Sequence, residues 1–149
     1  ILRFAAAINE ARTVYDYCIV DCGLLMDMTV TNVLAAADLV IAPVKIGGFE
    51  IEAADNMNTQ LDSLRSVNPD IRMKVLLTMR QGNRTTAQIE EWLRESSGHD
   101  CFKTAVRRSI MAEKSTVAQI PLPAFAKHSP VTQDYRAVVD EIIKNTQED

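Results

Sequence analysis

YDYCIVDC at residues 15–22 and AADLVIAPV at residues 36–44 decide how this chain reads. Tyr17, Cys18, Ile19 and Val20 form a short apolar, partly β-branched run that ends on a carboxylate, Asp21. Such a run, bounded by polar residues, predicts a buried parallel strand. The pattern returns with Asp38, followed by Leu39-Val40-Ile41-Ala42 and closed by Pro43. Met28 to Ala37, between the two runs, is long and apolar enough to be the crossover helix of a βαβ unit. An acid at the exit of a parallel strand lies at the carboxyl edge of the sheet, where open α/β folds take their ligands. A carboxylate capping a loop in any α/β fold is the plain alternative for Asp21.

Working outward, Phe4, Ala5, Ile8 and Ala11 predict a helix from Leu2 to Ala11. Beyond Val44 comes a Gly-containing loop from Lys45 to Phe49. Ile51, Ala54, Met57, Leu61 and Leu64 then mark one stripe of a long helix, which Asn68-Pro69-Asp70 ends. Met73 to Met79 reads as a third, central strand. Gln81-Gly82-Asn83 is a turn, with Thr85 or Thr86 capping a helix through Ile89, Trp92 and Leu93 that Gly98 stops. Phe102 to Val106 reads as a fourth strand, and Arg107 to Lys127, with Pro121 and Pro123, as a polar loop. Ser129-Pro130 opens a last helix, whose buried stripe is expected at Tyr135, Val138, Val139 and Ile142. Alternating strands and helices predict the α/β class, a doubly wound, mostly parallel sheet flanked by helices in one domain over 1–149.

The totals agree with this. The 149 residues are 47% hydrophobic and 24% charged, ordinary for a globular domain. No apolar run approaches the ~20 residues of a membrane span. Three cysteines without framework spacing fit a reducing cytosol. With His99 and His128 they offer no paired metal-ligand spacing. The net charge of −4 is uneven: residues 1–70 hold 4 Lys/Arg and 10 Asp/Glu, residues 71–149 hold 12 and 10. That asymmetry points to an anionic partner on one face, though a mixed, solvated surface would look similar. The chain opens on ILRFAAAINEAR, without Met and already helical in pattern, as expected for a piece of a longer protein.

YDYCIVDC (15–22), Asn32, Leu34, AAD (36–38), Pro43, Phe49 and Glu52 form a colinear series with VLLTMR (75–80), FKTAVRRS (102–109), Pro121 and SPVTQDYRAVVDEI (129–142). Through these residues the chain resembles the ParA-type partition ATPases, deviant Walker P-loop proteins related to MinD and the nitrogenase iron protein. The resemblance implies a partial P-loop NTPase fold. It further implies a cytoplasmic, nucleoid-associated homodimer that binds ATP with Mg²⁺. Such a dimer coats DNA without sequence preference and hydrolyses ATP when a centromere-binding ParB-like partner stimulates it. On this resemblance Asp21 is the catalytic Walker B acid, holding Mg²⁺ through water. Thr78 falls at the adenine edge, with Arg80 and Arg108 beside the nucleotide. Arg84, Lys103, Arg108 and Lys114 are the expected DNA contacts.

The chain departs from the family pattern in four places. Cys22-Gly23-Leu24 stands where Cys/Thr-Pro-Pro usually follows the acid, Arg107 stands for a Pro, and Met111 for a basic residue. No G-x-x-x-x-G-K-[ST] stretch occurs in the 149 residues; Gly47-Gly48 lacks the following Lys. Without that backbone cradle and its Lys the phosphates have no site, so this chain alone should not hydrolyse ATP. Two other readings stay open: a non-catalytic interaction module of the same fold, and a MinD-like spatial regulator. The ending VVDEIIKNTQED is acidic and polar, against a basic membrane helix and so against the second.

Overall fold

The computed structural model describes residues 2–23, 27–46 and 48–147. Leu24 and Gly47 lie outside the described residues, as do the side chains of Phe49, Ile51, Glu52 and Ala54. The order is α1 (Leu2–Ala11), α2 (Met28–Leu34), β1 (Leu39–Lys45), α3 (Gly48–Leu64), β2 (Arg72–Thr78), α4 (Arg84–Glu95), α5 (Ile110–Ala118), α6 (Leu122–Phe125) and α7 (Pro130–Gln147). β1 and β2 pair as a small parallel sheet, with Arg72 N–H on the Asp38 carbonyl (3.3 Å) and Ile46 N–H on that of Thr78 (3.4 Å). The chain divides into two compact units, residues 1–40 with 55–73, and residues 41–54 with 74–149.

In the first unit the core is Val30, Leu34, Leu61 and Ile71, with Met57 and Leu64 of α3 against it. α2 starts on Asp27, whose carboxylate accepts the Val30 N–H at 2.9 Å. It ends at Leu34, three residues before the expected Ala37. The carbonyls freed there are taken by the Asn68 side-chain amide, 3.3 Å from Leu34 O and 2.8 Å from Ala37 O. Asn68 therefore ties the turn after α3 to the entry of β1.

The expected first strand does not form. Tyr17–Val20 carries no regular secondary structure, and Ile19 is 94% exposed. An apolar run signals a tendency to be buried, but a parallel strand also needs a ladder partner and cover on both faces. Among the described residues the only paired strands are β1 and β2.

The second unit is built on Leu76, Phe102, Val106, Val131 and Val138, with Ala112, Leu122 and Ile142 packed against them. The expected fourth strand forms only as two isolated parallel bridges, Val75 with Cys101 and Arg80 with Arg107. The reason lies between the bridges. The Lys103 and Thr104 N–H groups turn away from β2 to the Glu141 carboxylate of α7, at 2.8 and 2.7 Å.

Three local expectations also shift. α4 is capped by Asn83 rather than by Thr85 or Thr86, its Oδ1 accepting the Thr86 N–H at 2.9 Å. The expected loop after Arg107 contains α5, started by the Ser109 hydroxyl on Met111 N–H, and the short α6. On α7 the buried positions are Val131, Thr132, Asp134 and Val138, while Tyr135 and Val139 are exposed. The Ser129-Pro130 start stands as read, Ser129 Oγ accepting from Thr132. Gly98, with φ of 77°, lies just past the end of α4.

Candidate functional site

The second unit holds an open cleft of about 200 Å³ at the carboxyl end of β2. It is lined by Thr78 and Met79, by Val106, Arg107 and Ser109, by Ala112, Glu113 and Thr116 of α5, and by Val131 and Tyr135 of α7. Met79 sits left-handed at φ 56°, a conformation that non-glycine residues seldom take. It turns the chain sharply where β2 ends, so that Arg80 can bridge to Arg107.

The strongest polar contact at the cleft joins two residues that the sequence reading did not pair. Arg107 Nε and Nη2 donate to the two Asp134 oxygens at 2.7 and 2.8 Å, and Arg107 N–H adds a third bond at 3.1 Å. Asp134 is buried while Arg107 stays half exposed. The Arg107 side-chain hydrogen bonds hold the Asp134 carboxyl below the usual carboxylate range, against the opposing pull of burial. This fork ties the loop at Arg107 to α7 through both side-chain and backbone donors. A second acid of α7 works similarly. Burial alone would raise Glu141, but the Thr104 hydroxyl and the Lys103 and Thr104 N–H groups outweigh it and lower its pKa.

A signal for both acids was available. Val131, Asp134, Val138 and Glu141 recur at helical spacing, so the inward side of α7 carries a buried carboxylate, Asp134, and a half-buried one, Glu141.

Of the sequence-predicted nucleotide residues, Thr78 lines the cleft. Arg80 and Arg108 meet through backbone, Arg108 N–H on Arg80 O at 3.0 Å, but their side chains go elsewhere. Arg80 pairs with Glu90 at 2.7 Å, and Arg108 lies 3.8 Å from Glu113. Asp21 belongs to the first unit and is exposed, without the strand that was to place it at a sheet edge. Arg84, Lys103, Arg108 and Lys114 all belong to the second unit and are all exposed. They stand on separate pieces: the first turn of α4, the loop held by Glu141, the entry to α5 and α5 itself. Other cations nearby are committed. Arg94 binds Glu90 at 3.0 Å and the Phe102 carbonyl, and Arg107 is held by Asp134.

A small parallel sheet flanked by helices, with a cleft at the carboxyl end of its strand, defines a partial α/β P-loop fold. A solved plasmid partition protein from Borrelia burgdorferi shares that fold: TM-score 0.64 at 18% identity, covering 95% of this chain and 53% of that one. A family described as AAA domain matches residues 2–73. The chromosome partitioning protein ParA of Myxococcus xanthus is 27% identical over 145 residues, 95% of this chain and 51% of that protein. The chromosome-partitioning ATPase Soj of Thermus thermophilus is 28% identical over 137 residues, 90% of this chain and 55% of that protein. Along nearly its whole length the chain is similar to ParA-type partition ATPases. It spans about half the length of these curated relatives. No described helix is long and apolar enough to cross a membrane.

Proposed function

We propose that residues 1–149 act within a ParA-like partition ATPase of plasmid or chromosome segregation. Their role there is to receive the base of ATP in the β2 cleft and to turn the exposed cations of the second unit toward DNA. The observation that carries this reading is the cleft, which opens where the resemblance puts the adenine edge, with Thr78 in its wall. Its volume of about 200 Å³ lies below the roughly 300–1,000 Å³ of pockets that enclose a drug-sized ligand, so it suits a base and not a whole nucleotide. The partition names of the relatives support the same reading. Homodimerisation around nucleotide, DNA coating without sequence preference and a ParB-like stimulating partner belong to the proposal with it.

Mg²⁺ fits these residues poorly on their own. Among the described residues no cluster of His, Cys, Asp or Glu could hold a metal. A lone exposed Asp21 would meet Mg²⁺ only through water and alongside phosphate oxygens. Asp21 keeps its assignment as the acid of the site through the YDYCIVDC match. The test is Asp21→Ala in a polypeptide that carries a phosphate loop ahead of these residues. ATP turnover should vanish while the circular dichroism spectrum and melting temperature stay put. Undiminished turnover would return Asp21 to loop capping.

A further inference from the structure

Helix α5 turns its large apolar side chains to solvent, with Lys114 among them. The side turned to the protein carries small and polar residues: Ser115 is buried, Ala112 packs on the core, and Ala112, Glu113 and Thr116 line the cleft. At 3.6 residues per turn, Ile110, Met111, Lys114, Val117 and Ala118 share an arc of about 120° on the opposite side. All five are exposed, Ile110 at 65% and Val117 at 86%. A surface helix ordinarily turns its large apolar side chains inward. Single exposed apolar residues are common, but a whole helical arc of them marks an interaction surface.

Charge narrows the occupant. Lys114 sits inside the apolar arc, while Arg108 pairs with Glu113 on the cleft side at 3.8 Å. A second copy laid antiparallel across this face would set Lys114 against Lys114, a like-charge contact taken out of water. DNA phosphates would gain nothing from Ile110 or Val117. A helix with apolar side chains at three-to-four spacing and one carboxylate meets both features.

We infer that the outer face of α5 docks an acidic amphipathic helix of a partner protein. Its apolar side chains lie on Ile110, Met111 and Val117, and its carboxylate meets Lys114. Lys114 is also one of the proposed DNA contacts, so a docked helix and DNA compete for it. The test contains no DNA, so the two readings fail separately.

The probe is a fluorescent synthetic Leu/Glu amphipathic helical peptide, titrated with the 149-residue chain. A control peptide carries Lys in place of the Glu that faces Lys114. The acidic peptide should bind at least about tenfold tighter than the control. Ile110→Ser and Val117→Ser should each weaken it by about tenfold with the melting temperature unchanged, and Lys114→Glu should reverse the preference. Equal binding of a scrambled peptide, or no binding of the acidic one, overturns the inference. Val117-dependent self-association in light scattering would overturn it in favour of a second copy. Val117-dependent sedimentation with anionic phospholipid vesicles would overturn it in favour of a membrane surface.

Discussion

Arg107 and Asp134 carry the clearest energetic statement at the residue scale. Removing the carboxylate deletes a charge-assisted fork, while Arg107, half exposed, recovers some hydration. Asp134→Asn should therefore cost about 1–2 kcal/mol, the low side for hydrogen bonds to charged groups. Because the folded-state pKa of Asp134 is lowered, its contribution is present above the ordinary Asp value and lost as pH falls through the folded one. The gap in melting temperature between parent and variant should hold from neutral pH to about pH 4 and shrink below it. A gap that widens in acid would contradict the assignment. Asp134 shows how far a sequence can be read at this scale. Its partner lies twenty-seven residues away, so local spacing gave Asp134 a place on the α7 stripe but no reason to be there.

At the scale of elements, helices with an inward apolar stripe were legible, and elements that depend on distant partners were not. α1 follows the Leu2–Ala11 reading, and β1 and β2 lie within a residue of the predicted strands. Tyr17–Val20 has strand composition without a ladder partner, and Phe102–Val106 loses its ladder midway to Glu141. α5 is not legible in the sequence, because its large apolar residues face solvent and leave no inward stripe. Of the stripe expected on α7, Val138 and Ile142 pack inward while Tyr135 and Val139 face solvent, which gives a paired prediction. Val138, 4% exposed, should cost about 1–3 kcal/mol on truncation to Ala, whereas Val139, 50% exposed, should stay within about 0.5 kcal/mol. Chemical denaturation of both variants decides it, and equal losses would contradict the packing described.

At the scale of the molecule, the excess of cations after residue 70 is real but partly spent inside the fold. Arg80, Arg94 and Arg107 are held by Glu90 and Asp134, whereas Arg84, Lys103, Arg108 and Lys114, the set proposed for DNA, are exposed. With a dimeric, nucleotide-bound parent that binds DNA, each single Ala variant should lower the slope of log affinity against log salt by roughly 0.9. Arg108 should give the smallest change, since Glu113 already draws on it. Four unchanged slopes would place the DNA contact elsewhere.

On the proposed reading these residues receive the base of a nucleotide and carry no G-x-x-x-x-G-K-[ST] loop for its phosphates. Calorimetric titration of the 149-residue chain with adenosine, with ATP and with ATP plus Mg²⁺ tests it most directly. The three ligands should bind alike and weakly, with Mg²⁺ making no difference, because the 149 residues contain no G-x-x-x-x-G-K-[ST] stretch. Micromolar binding of ATP that depends on Mg²⁺ would contradict the account, since the phosphates would then have a site within these residues.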